Sequence, residues 1–302
     1  EEGLAGDRPP PFVSMKIRNK KTKNPDNPYL CRKQLTRNNM QLKRIQPVYF
    51  SPTHTSAKIV AMIAEGMNIM VNTEINFTYP ATDPKTIPSD SLAIIGVPTY
   101  AGRVAPVALE RLQKIKGNNT PTVIIVLYGN RDYEDALLEL RDSVKQLGFI
   151  PVAGGAFIGE HSYSTKLFPT AAGRPDVSDL QIAAEFGKNI IKQLNQYADI
   201  KELPALKVKG NFPYKENKPK TPATPITIDE LCTQCQHCIE ICPVETIELK
   251  EKIVSDPETC IKCCACVKEC PNGARIFNTP FSEFLFKNFH ERKEPELFYP
   301  TL

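Results

Sequence analysis

Two stretches of the chain, CTQCQHCIEICP (residues 232–243) and CIKCCACVKECP (residues 260–271), carry the same cysteine pattern. Each reads C-x2-C-x2-C-x3-C-P, and the second begins 28 residues after the first. Two-residue spacing turns three sulfurs of a tight loop toward one point. The fourth sulfur must arrive from elsewhere in the chain. Zinc sites use paired C-x2-C spacings, not two full runs each closed by Cys-Pro. Disulfides need an oxidising compartment. No charged start followed by an apolar stretch marks an export signal. Nine of the ten cysteines stand in the two runs, eight of them at positions of the repeated pattern. In a reducing compartment such clustering points to metal, and this spacing to cubane iron–sulfur centres.

The segment 226–275 resembles bacterial two-cluster ferredoxins over its whole length. The resemblance implies two [4Fe-4S] clusters in a small α+β module, the fourth ligand of each coming from the other run. One cluster then takes Cys232, Cys235, Cys238 and Cys270, and the other takes Cys260, Cys263, Cys266 and Cys242. Cys264 and Cys31 are surplus to that pattern, and His237 is a neighbour able to tune potential.

Upstream, strand and helix patterns alternate. Strands are expected at 46–50, 74–78, 91–96, 122–128 and 149–157, and helices at 54–69, 104–115, 132–147 and 178–198. Ile59, Met62, Ile63 and Met67 share one helix face by three-four spacing. Apolar strands alternating with helices imply a parallel sheet covered on both faces, here an α/β doubly wound five-stranded sheet. Ligands of that architecture lie beyond the carboxyl ends of the strands.

Three loops follow strand ends. The first, SPTHTS, offers the hydroxyls of Ser51, Thr53, Thr55 and Ser56 at a helix start, where backbone N–H groups and the helix dipole favour an anion. An ordinary hydroxyl-rich N-cap is the alternative. The second, GVPTYAGRVAP, and the third, YGNRDYEDALLEL, each carry glycine and an aromatic suited to a flat ring. Tyr100 and Tyr128 serve equally as packing residues, and Arg103 and Arg131 as solvated charges. No lysine follows a glycine-rich loop, and no G-x-G-x-x-G follows the first strand, so P-loop and dinucleotide readings fail.

The order of these loops, followed by GGAFIGEHSYS and the cysteine runs, is similar to the flavodoxin–ferredoxin fusion proteins of anaerobes over about residues 44–275. The resemblance implies a flavodoxin-like sheet that binds FMN. By position, Ser51, Thr53, His54, Thr55 and Ser56 would surround the phosphate. Pro98, Thr99, Tyr100, Gly102 and Arg103 would flank one side of the isoalloxazine, and Tyr128, Gly129, Asn130 and Arg131 the other. His54 departs from the family, which has glycine there.

The expected divisions are a basic N-terminal arm (1–42), the flavodoxin-like domain (43–199), a Pro/Lys-rich linker (200–225), the ferredoxin domain (226–275) and an aromatic tail (276–302). A net charge of +4 is too weak to suggest nucleic acid, and no apolar run approaches a membrane span. The expected location is cytoplasmic. Redox protein partners are implied, and a homo-oligomer is compatible with the sequence.

Three functions fit. The first is an electron-transfer protein linking two clusters, FMN and an external low-potential partner. The second is a reductase acting on a small substrate at the flavin, with His161 as its nearest proton donor. The third is a regulatory or scaffolding iron–sulfur protein whose flavodoxin fold is empty. Whether the chain is an enzyme stays open at this point.

Overall fold

The computed structural model describes residues 42–80, 83–216 and 221–300. The arm expected over 1–42, Cys31 included, lies outside the described residues except for Leu42. Five strands form the parallel part of one sheet: β1 (Arg44–Tyr49), β2 (Ile75–Asn76), β3 (Ser91–Tyr100), β4 (Thr120–Tyr128) and β5 (Phe149–Ile158). Their spatial order is β2-β1-β3-β4-β5. That is the flavodoxin-like order, with its topological switch beside β1.

Pleating explains why these runs are apolar throughout. In β4, Ile124, Val126 and Tyr128 enter the core on one face, while Val123, Ile125 and Leu127 enter the core on the other. Each such side chain fully removed from water stabilises the fold by about 1.5–3 kcal/mol.

Helices cover both faces. α1 (Thr55–Met67) and α4 (Val177–Leu194) pack together over one face. α2 (Pro106–Leu112) and α3 (Ala136–Gln146) cover the other. α1 and α4 approach through two glycines. A Cβ on Gly66 would lie 1.9 Å from the Ala184 carbonyl oxygen, and one on Gly187 would lie 2.1 Å from that of Ile63. α4 begins with a capping box between Asp176 and Asp179.

Two segments differ from simple expectation. The 200–225 segment, read as a semi-rigid linker, is tied down along much of its length. Leu206 is buried in the core, and Asp135 accepts hydrogen bonds from the Asn211 amide (2.8 Å) and the Lys215 amide (2.7 Å). The aromatic tail forms α5 (Pro280–Phe289) and then β6 (Glu296–Phe298). β6 pairs antiparallel with β5, so the sheet extends beyond five strands. Sequence periodicity over three residues is too short to reveal such an edge strand.

Candidate cofactor sites

Between the two runs lies a short hairpin, Ile247–Leu249 with Ile253–Ser255. A second pair, Ile226–Thr227 with Arg275–Ile276, closes the module. In each run the backbone turns left-handed at the same two places: Gln234 and Gln236 in the first, Lys262 and Cys264 in the second. Alternation of hand in a loop turns successive N–H groups toward one concavity, a favourable seat for an anionic centre.

Cys232, Cys235, Cys238 and Cys270 line one cavity. Cys242, Cys260, Cys263 and Cys266 line the other, with Cys264. Each cavity therefore draws three cysteines from one run and the fourth from the other. Among the described residues no group of three or more His, Cys, Asp and Glu is placed to hold a single metal ion. A cubane spreads its four thiolates over four irons, so they need not converge on one atom.

Burial pushes the thiols of Cys263 and Cys266 up, Cys266 to about 11. Four thiolates facing each other in such a site need a cationic core to stabilise them. The donor chemistry fits [4Fe-4S] centres in both cavities. Cys264 is buried, and its thiol donates to the Lys262 carbonyl at 3.6 Å.

The module sits against the carboxyl end of the sheet. Arg111 of α2 donates to the Pro243 carbonyl at 2.7 Å. Lys268 forms an ion pair with Glu160 and donates to the Ser164 carbonyl at 2.9 Å. Ile261 packs on the core cluster that holds side chains of β3 and β4. Pro243 and Ile261 line the cavity of Cys242 and Cys260. Burial raises the phenol pKa of Tyr100 well above its usual value, and the neighbouring thiols of Cys263, Cys264 and Cys260 add to the effect. Tyr163 is raised by burial and by the same three thiols. Cys235 of the other set is exposed.

The hydroxyl loop lies at the start of α1. Ser51 Oγ accepts from the Ala57 amide at 3.0 Å, and the Ser51 amide donates to Thr78 Oγ1 at 2.8 Å. His54 occupies the left-handed region, φ 61° and ψ −1°, rather than the ordinary helical or extended backbone in which its side chain would be tolerated freely. Glycine takes that conformation without cost, whereas a side chain strains it by about 1–2 kcal/mol. The His54 ring instead reaches the ferredoxin module, with Nε2 2.9 Å from Glu269 Oε1. His237 Nε2 lies 3.7 Å from the other oxygen of Glu269.

Three polar atoms in the expected flavin loops are buried with no partner among the described residues: Ser56 Oγ, Thr99 Oγ1 and Asn130 Oδ1. A buried polar group left unsatisfied costs about 1–3 kcal/mol. A phosphate and a heteroaromatic ring would supply partners, so these residues fit FMN. The two arginines are otherwise committed. Arg103 pairs with Glu139 and donates to the Lys215 carbonyl at 2.6 Å, and Arg131 pairs with Glu134 at 2.7 Å. They hold the loop backbones rather than reaching toward a ring. Asn130 Nδ2 donates to the carbonyls of Phe289 (2.6 Å) and Glu291 (2.7 Å), fastening the third loop to the tail.

Sequence reading passed over Tyr163 and Arg275, which the fold brings to the cysteines.

Residues 224–272 match the model of a 4Fe-4S dicluster domain. With the sheet order above, that match decides the architecture. The chain joins a flavodoxin-like domain to a dicluster ferredoxin domain. An uncharacterized ferredoxin of Methanocaldococcus jannaschii is 50% identical over 46 residues, covering 14% of this chain and 30% of that protein. A tetrathionate reductase subunit of Archaeoglobus fulgidus is 36% identical over 55 residues, covering 17% and 27%. A solved flavodoxin from the domain Archaea has a TM-score of 0.33 at 12% identity, covering 50% of this chain and 98% of that one. The chain spans less than a third of the length of these curated relatives.

Two outcomes are expected. Extraction of iron by a chelator should abolish amide protection over 226–276 while β3 and β4 keep theirs, as read by hydrogen exchange. Continued protection of both regions would show that the cysteine module holds itself together without metal. His54→Gly should leave the flavin content of the purified protein unchanged and change stability by less than about 1 kcal/mol, because relief of the left-handed strain offsets the added freedom of the unfolded chain. Loss of flavin from that variant, measured by absorbance after gel filtration, would make the imidazole a principal ligand.

Proposed function

We propose that the protein is an electron carrier in which the two cysteine sets hold [4Fe-4S] clusters and the carboxyl-end loops of the sheet hold FMN. When bound, the clusters exchange single electrons, while FMN exchanges one or two. The observation that carries this reading is the docking of the Cys242–Cys260 side of the ferredoxin module onto the carboxyl end of the sheet. It supports an order in which that set lies next to the flavin loops. The Cys232 set, with Cys235 exposed, then meets an external redox partner.

The remaining residues keep the assembly in place. Ser51, Thr53, Thr55 and Ser56, with the first-turn amides of α1, are proposed to take the phosphate, and His54 closes the loop against Glu269. Pro98, Thr99, Tyr100 and Gly102 form one wall, and Tyr128, Gly129 and Asn130 the other. Arg103 and Arg131 brace those walls through their carboxylate partners. Tyr100 and Tyr163 exclude water between the wall and the thiols. In this reading the cysteines serve as thiolate ligands, which suits a reducing compartment such as the cytoplasm. Among the described residues no helix is long and apolar enough to cross a membrane.

Nothing in the geometry favours His161 as a proton donor. Its Nδ1 accepts from the Tyr163 amide at 3.0 Å, and its ring lies where a Cβ on Gly129 would fall. Burial, with Lys268 and Arg131 adding repulsion, lowers its pKa from 6.5 to about 4. The imidazole is neutral at pH 7 and acts as packing.

Anaerobic reconstitution with iron, sulfide and flavin quantitation tests the function. About two clusters and one FMN per chain are expected, with cluster reduction followed by flavin reduction in stopped flow. A colourless sheet domain beside loaded clusters, or flavin that stays oxidised beside lower-potential reduced clusters, would sink the reading.

The histidine adds a pH signature. Its folded pKa lies below its unfolded value, so its contribution is complete above about pH 6.5 and is lost as pH falls toward 4. Between pH 7.5 and 5.5 the wild type should lose about 1 kcal/mol relative to His161→Gln. Denaturant titrations at the two pH values read the difference, and flavin turnover should be unchanged by the substitution.

A further inference from the structure

Arg275 is 3% exposed, yet among the described residues no carboxylate pairs with it. Its guanidinium is held by neutral groups instead. Nη1 donates to Thr227 Oγ1 at 2.7 Å, and Nη2 to the Pro225 carbonyl at 3.0 Å and Ser255 Oγ at 2.5 Å. Nη2 also lies 3.8 Å from Cys266 Sγ, and Nε has no acceptor among the described residues. A buried charge left uncompensated is strongly destabilising, so a guanidinium in this position needs an anion nearby.

Arg275 lines the cavity of Cys232, Cys235, Cys238 and Cys270, and it also lines that of Cys242, Cys260, Cys263 and Cys266. Its strand, Arg275–Ile276, closes the module against Ile226–Thr227, which fixes the side chain between the two sets. A cubane with four thiolates is a net anion, and reduction adds negative charge. A fixed cation beside it favours the reduced form, as do N–H bonds to its sulfurs.

We propose that Arg275 is the shared counter-cation of both iron–sulfur clusters and raises their reduction potentials together. This rests on the proposed occupancy of both cysteine sets. The hydrogen-bonded approach to Cys266 makes the effect larger at the cluster beside the flavodoxin domain. Compensation runs both ways, because the clusters supply the anions that the buried guanidinium lacks.

Anaerobic potentiometric titration followed by EPR, on the full reconstituted chain, tests the proposal. In Arg275→Gln both clusters should become harder to reduce, each equilibrium falling tenfold or more, about 59 mV for a one-electron couple. Arg275→Lys, which keeps the charge, should bring both back to within tenfold of wild type. Unmoved potentials, or movement of one cluster alone, would overturn the shared role. Should Arg275→Gln fail to load, pulsed EPR on wild type labelled with 15N-arginine decides. A weak nitrogen coupling is expected on a reduced cluster, and its absence overturns the proposal. Wild type showing fewer than two cluster signals would sink the occupancy reading and this inference together. Two signals with insensitive potentials would sink only the role of Arg275.

Discussion

Residues 226–276 must bring eight thiols to two places with very little apolar material of their own. The apolar cluster of that module is Ile247, Ile253 and the cysteines Cys238, Cys242 and Cys266, with a few partly buried side chains around them. So small a core does not sustain a fold by burial alone. Two other sources of order remain. Metal–thiolate bonds, once the cysteine sets are loaded, would tie the loops to one another. Docking onto the carboxyl end of the sheet gives Ile261, Pro243 and Lys268 a rigid surface. Much of the surrounding structure follows from that second need.

The sheet domain can serve as this surface because it is over-determined. Both of its faces are filled by alternating side chains of the same strands, and α1 and α4 interlock through backbone-to-backbone approach at Gly66 and Gly187. The tail adds further fastening. Arg174, nearly buried, pairs with Asp179 at the start of α4 and donates to the Lys293 carbonyl at 2.7 Å. Asn130 and the Arg131 carbonyl are bound to the same stretch of tail. The third loop of the carboxyl end is thereby held at a defined place, which a cofactor wall requires.

Buried polar groups sort into two kinds. Asp135, Asp179 and Glu139 have full sets of donors and are structural. Ser56, Thr99 and Asn130 keep an oxygen without a partner among the described residues, and all three stand near the carboxyl end of the sheet. Arg275 belongs with this second kind. Such groups are where a bound group could supply a missing partner.

The sheet and the cysteine runs were legible because both obey a local rule. Continuous apolar strands alternating with helices specify a parallel sheet, and C-x2-C-x2-C-x3-C-P specifies a loop with converging sulfurs. His54 was visible as an anomaly, but its left-handed backbone and its reach to Glu269 were not, since the partner lies 215 residues away. The short strand Glu296–Phe298 has too few residues to show a period, and its pairing with β5 exists only because β5 offers an open edge. The ties of the 200–225 segment to Asp135 depend on a carboxylate at the start of a helix far upstream. Sequence by itself determined the two architectures and the identity of the thiols, because those depend on spacing along the chain. Only the tertiary structure decided which cysteine set faces the sheet and that one buried arginine lines both cavities. Those are matters of distance between segments remote in sequence, and no local pattern records them.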